Sequence, residues 1–220
     1  MYFYQEIISM KKTLLVAFIV FFSLRSYAQS QDYIDMLGGH KGFTSEFFFL
    51  KPIDKANRWS VISRSELHLV EYKKDHPEFV NYNTVSYNFK NHFGITAGTY
   101  ASSVYPFSAR LGIQYMKETE ALLIYANLSS AVTNDPDGHM LVILGYLPKI
   151  DEKWRLVFRS ELRTAISYNH GHAFSTQQVK AGLQYNEKLG FGLGVEAGQH
   201  GKGEHLEKEF NMGPFVRINL

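Results

Sequence analysis

The stretch Trp59-Ser-Val-Ile-Ser-Arg64-Ser65-Glu66-Leu67 returns later in the chain as Trp154-Arg-Leu-Val-Phe-Arg159-Ser160-Glu161-Leu162. A strand points successive side chains to opposite faces. Both copies therefore set Trp, an aliphatic residue and Leu on one face, with Arg and Glu on the other. In a soluble sheet the apolar face covers a core and the charged face meets water. Here an export signal precedes the pattern, and similar strands run almost without break to Leu220. That combination predicts a barrel closed across a membrane, apolar residues toward lipid and charges toward the lumen.

The export signal has a positive start at Lys11 and Lys12, an apolar run from Thr13 to Leu24, and small residues at Ser26 and Ala28. Residues 1–28 are read as a signal peptide cleaved before Gln29, with Met10 as the natural start. The apolar run is short for a membrane-spanning helix, and Arg25 interrupts its end. Cleavage would remove Lys11, Lys12, Arg25 and Glu6, turning 23 basic and 21 acidic residues into 20 of each. A neutral mature chain argues against nucleic acid as a partner. The absence of cysteine excludes a disulfide framework and thiolate chemistry.

Strands are expected near 43–51, 58–72, 79–89, 93–103, 107–117, 120–132, 139–148, 153–168, 173–186, 190–199 and 209–220. Turn residues separate them, among them Asn134-Asp-Pro-Asp-Gly138 and Asn186-Glu-Lys188. The expected fold is all-β: one antiparallel transmembrane barrel of ten to twelve strands over 43–220, after a short segment at 29–42. Eleven strands conflict with the even number usual in bacterial barrels. Either Gln31 to Lys41 supplies another strand, which Gly38-Gly39 disfavours, or a boundary is misplaced. Counting back from a periplasmic C-terminus sets Trp59 and Trp154 together at the inner interface, where aromatic girdles sit.

The same alternation selects the lumen. Glu46, Arg64, Glu66, Arg110, Arg155, Arg159, Glu161, Arg163, Lys180, Glu196 and Arg217 face inward on this reading, as does Gln114. Val61, Leu111, Leu156, Phe158, Leu193, Val216 and Ile218 are among those facing lipid. Seven basic residues against four acidic ones would favour an anionic solute if they line an open path. If the lumen is narrow, the same groups pair and fill it. Strands 120–132 and 139–148 are apolar on both faces, so that side either meets another protein or has a packed interior.

The closing stretch Gly213-Pro-Phe-Val-Arg-Ile-Asn-Leu220 resembles the C-terminal insertion signal of outer-membrane barrels: a glycine followed by apolar residues at alternate positions. Leu220 replaces the usual terminal aromatic. The resemblance extends to the small bacterial outer-membrane β-barrel class and to no family within it. It implies location in the outer membrane, with the lipid bilayer, the barrel-insertion machinery and other envelope proteins as expected partners. Fold alone assigns no chemistry. His76, His139, His170, His172, His200 and His205 fall near predicted outer loops, beside Asp135, Asp137, Glu204 and Glu207, but their spacing matches no defined metal motif. No metal site or cofactor is expected. His172 and Ser175 could serve as base and nucleophile, but no third residue is evident to orient the histidine. No catalytic residue is assigned. The reading is a structural or accessory envelope subunit or a narrow small-solute channel. A lipid-modifying enzyme and a soluble barrel holding an apolar ligand are the alternatives.

Overall fold

The computed structural model describes residues 32–72, 77–103, 106–133, 136–169, 171–201 and 207–220. The signal peptide expected over 1–28 lies outside them. Twelve antiparallel strands follow in chain order: β1 (Tyr33–Gly38), β2 (Gly42–Pro52), β3 (Trp59–Val70), β4 (Glu78–Asn88), β5 (Phe93–Ser102) and β6 (Ser108–Glu118), then β7 (Leu122–Ala131), β8 (Asp137–Tyr146), β9 (Trp154–Ser167), β10 (Gly171–Tyr185), β11 (Leu189–His200) and β12 (Glu207–Asn219). Each pairs with its chain neighbours, and β1 pairs with β12 from Tyr33 opposite Asn219 to Leu37 opposite Phe215. The sheet therefore closes and leaves no edge to solvate, as a strand structure in lipid requires.

The barrel begins ten residues earlier than the 43–220 boundary, at Tyr33 rather than Phe43. Gly38 and Gly39 do not interrupt this first strand; they end it. Gly39 N–H donates to the Gly42 carbonyl at 2.8 Å, turning the chain into β2. Within β1, Tyr33, Asp35 and Leu37 point inward and are buried, while Ile34 and Met36 face out. With β1 counted, the chain enters and leaves the barrel at the same end, which removes the odd-number conflict.

That end is where β12 finishes, the periplasmic side in bacterial outer-membrane barrels, and one of its connections is a two-residue turn. At Tyr185–Lys188, Asn186 and Glu187 both have positive φ (48° and 59°), and Lys188 N–H donates to the Tyr185 carbonyl at 3.1 Å. This is a type I′ turn, whose twist matches that of the strands it joins. We take this as the periplasmic end. The far ends of β3, β5, β7 and β11 then face the cell exterior.

Outward positions form a continuous apolar band: Leu111, Ile113, Leu128, Leu144, Leu156, Phe158, Leu193, Val216 and Ile218 are exposed. An exposed apolar surface this extensive needs lipid to cover it. Trp59 and Trp154 open β3 and β9 at the periplasmic end, on the outward face. Trp59 packs on Tyr87 (centroids 5.0 Å apart), Tyr87 on Phe89 (5.7 Å), and Trp154 on Tyr185 (4.8 Å). Indole and phenol rings settle at the headgroup level because one end is apolar and the other polar. These are the chain's two tryptophans. In vesicles, a quencher attached near the lipid headgroup should therefore reduce emission more than one at the acyl terminus. Stronger quenching by the deep probe would move the girdle away from the interface.

Candidate functional site: an ion-paired lumen beneath an outer cup

Inside the barrel, two chemistries share the space. Toward the periplasmic end, Tyr33, Phe48, Leu50, Ile62, Leu123, Tyr125 and Ile143 belong to one buried cluster, which extends outward to Tyr82 and Tyr100. The apolar inner faces of β7 and β8 are thus explained by a packed interior. The wall built from β1–β3 and β9–β12 carries charges. Arg64 lies 3.3 Å from Glu46 and 2.6 Å from Glu161, and also pairs with Glu66. Arg163 reaches Glu66 at 2.7 Å and Glu161 at 3.3 Å. Arg159 sits 3.5 Å from both Glu46 and Glu161, with its guanidinium over the rings of Phe48 and Tyr33.

Glu46 joins this group to a second one. It faces Lys180 at 3.3 Å and accepts the Tyr33 hydroxyl at 3.1 Å. Lys180 also pairs with Asp35 at 2.8 Å, and Arg217 grips Asp35 through two bonds of 2.7 Å each. The fork of a guanidinium matches the two oxygens of a carboxylate, so this pair has fixed geometry as well as charge. β11 makes room for it: its inner face presents Gly190, Gly192 and Gly194, and the side chains of Arg217, Leu37 and Lys180 lie against Gly190 and Gly194.

All eleven candidate lumen residues lie on inward positions of their strands. Nine are buried, while Arg163 and Glu196 are half-buried because they border the cavity above. They do not form one group. Arg110 stands apart near the outer end, 2.7 Å from Asp137. Arg155 stands at the periplasmic mouth, 2.6 Å from Glu187 and 3.2 Å from Glu120. There Lys149, with Arg155, holds the Glu120 carboxyl below its ordinary range. The expected basic excess disappears. Counting Asp35, the central network pairs Arg64, Arg159, Arg163, Lys180 and Arg217 with Asp35, Glu46, Glu66 and Glu161, and Glu196 adds a fifth carboxylate just above them, bonded to Thr44, Gln178 and Asn211. Asp35 is not legible as a lumen residue while its segment is read as lying outside the barrel, although it alternates between Ile34 and Met36 like any inward residue.

Above the network, at the outer end, lies a cavity of about 850 Å³ bordered by His68, Tyr100, Asp137, Arg163, Gln178 and Glu196. Its floor is polar and pre-ordered. Glu196 accepts from Thr44 at 2.8 Å, Gln178 at 2.6 Å and Asn211 at 3.3 Å, and His68 contacts Glu66 at 3.1 Å. The loop histidines among the described residues form no common site. His139 points inward between Tyr100 and Phe174 and pairs with Asp137 at 3.3 Å, whereas His172 faces outward. His76, His170, His205, Asp135 and Glu204 lie outside the described residues. Among the described residues, no three His, Asp or Glu side chains form a metal-holding group.

Closure, the apolar outward band and the charged interior occur together in one architecture. The chain is an outer-membrane β-barrel. No protein-family model and no curated protein matches it. Among solved structures it is similar in fold to the NanC porin, at 12% identity over 85% of this chain and 100% of that one, with a TM-score of 0.48. It is also similar to the KdgM porin in complex with disordered oligogalacturonate, at 14% identity over 86% and 99%, with a TM-score of 0.47. A bacterial polysaccharide outer membrane secretin follows, at 11% identity over 81% and 70%, with a TM-score of 0.40.

Proposed function

We propose that this outer-membrane barrel is a narrow small-solute channel that is closed at rest. The observation that carries the reading is the position of the cavity: it opens at the outer end and stops on the ion pairs around Arg64 and Arg163. A small polar solute can enter the cup and exchange hydrogen bonds with Gln178, Glu196 and Arg163. Passage then requires the network to part. Breaking buried ion pairs without replacement partners is costly, so the closed arrangement dominates until a solute supplies those partners.

Purified protein in planar bilayers should accordingly pass little steady current. What passes should show weak preference for charge, since the central cations and anions balance. Replacing Arg159 and Arg163 together by Ser removes bulk and two positive charges from the floor. That variant should conduct more and prefer cations, because Glu46, Glu66 and Glu161 then outnumber their partners. A large, stable, unselective current from the unmodified protein would make it an open diffusion porin instead.

A further inference from the structure

On the outward wall near the outer end, β9 and β10 bring together a set of side chains outside the ion-paired network, with His172 at the rim of the outer cavity. His172 Nε2 lies 2.9 Å from Ser175 Oγ, and His172 Nδ1 lies 2.8 Å from the Gly201 carbonyl oxygen. Ser175 Oγ is also 2.8 Å from Thr164 Oγ1. The Gly201 carbonyl fixes the proton role of the ring. A carbonyl only accepts, so Nδ1 carries the proton and the neutral ring presents a lone pair at Nε2. Ser175 Oγ–H can therefore donate to Nε2, while the Thr164 hydroxyl has two acceptors in reach, Ser175 Oγ and, at 3.2 Å, the Phe174 carbonyl. The geometry is that of a nucleophile, a base and a group that fixes the base.

A β-bulge places the histidine. The pairing of β10 with β9 slips between His172 and Phe174, so Ala173 is the extra residue and His172 comes to the same face as Ser175. Such bulges re-aim side chains. Gly171 and Gly201, both at positive φ (78° and 81°), flank the pair, and Gly201 N–H donates to the Ala173 carbonyl at 3.0 Å. This bond holds the orienting carbonyl over the imidazole.

Height on the barrel identifies the substrate class. Around Ser175 the outward positions mix polar and apolar groups: Thr164 and Gln199 oppose it and Gln177 follows it, with Met140 and Ile166 close by on β8 and β9. Within two outward positions toward the periplasm the polar groups thin out and aliphatic side chains, Leu162, Val179 and Val195, predominate. That change marks the level where acyl chains give way to headgroups, which is where lipid ester carbonyls lie. We propose that Ser175 and His172 form a hydrolase site for the acyl esters of membrane lipids. Ser175 Oγ adds to the ester carbonyl carbon as its proton passes to His172 Nε2. The bond to the lipid alcohol breaks, and the alcohol leaves with that proton. Water, deprotonated by the same nitrogen, then splits the acyl–Ser175 ester into a fatty acid and free serine.

The test uses the folded protein in detergent and a fluorophosphonate probe, which modifies activated serines. Peptide mass spectrometry should place the adduct of the unmodified protein on Ser175. S175A should abolish labelling, and H172N should slow it at least ~100-fold, the usual worth of a positioned general base. Both variants should keep the gel shift between unheated and heated samples that marks a folded barrel. Fatty acid should be released from phosphatidylethanolamine–phosphatidylglycerol vesicles by the unmodified protein and not by S175A. No adduct on the folded unmodified protein, or an adduct indifferent to H172N, would overturn the site. Labelling without fatty-acid release would overturn the lipid-ester assignment.

Discussion

Glu46→Ala is expected to destabilise the barrel by about 3–5 kcal/mol, the cost of breaking a buried ion pair from one side. Glu46 is fully enclosed and faces Arg64, Arg159 and Lys180 within 3.5 Å. It is also the one anion that touches both halves of the network, since Asp35 serves Lys180 and Arg217 while Glu161 serves the three arginines of β3 and β9. Without it, three cations face each other in a space that offers them fewer acceptors. Glu46→Gln keeps the volume and can still accept from Tyr33, but it loses the charge, so most of the cost should remain. Adding Lys180→Met to Glu46→Ala should recover part of the loss, because one orphaned cation is removed. Denaturant unfolding in lipid vesicles would measure all three. A cost below about 1 kcal/mol for Glu46→Ala, the scale of an exposed pair, would mean that the lumen is hydrated rather than closed.

How much of this was legible in the sequence depends on whether the signal belonged to side chains. The inward set was legible because Arg and Glu alternate with aliphatic residues on long strands, as in Arg159-Ser-Glu161-Leu-Arg163. Strand β1 was obscured because six residues give only three inward positions, and the glycines that end it resembled glycines that break it. The separation of Arg110 and Arg155 from the network was invisible, since their partners, Asp137 and Glu187, are set by the register between strands. The orienting group at His172 lay beyond any reading of side chains. It is a backbone carbonyl at Gly201, brought close by pairing between β10 and β11. The closed lumen could not be chosen over an open one until the mutual distances of the charges were known.

Gly213 offers the last test, because the sequence and the structure give it different roles. In the sequence it opens a stretch that resembles an insertion signal. In the barrel, a Cβ at this position would sit 2.0 Å from the Gly38 carbonyl oxygen and 2.7 Å from the Gly39 Cα. Those are backbone atoms at the end of β1, so nothing flexible can move aside. The position lies opposite Gly194 on β11 and just beyond the Leu37–Phe215 pairing that closes the barrel. Gly213→Ala should therefore cost at least about 1–3 kcal/mol, as overpacking typically does. Gly213→Val should prevent β1 from docking and leave two unpaired edges, which lipid does not tolerate. Refolding from urea into detergent, with no insertion machinery present, separates the roles. If Gly213 matters only as a recognition signal, the valine variant refolds in detergent as fully as the unmodified protein. If it matters for closure, the heat-modifiable form is lost even there, and the close approach of β12 to β1 predicts that loss.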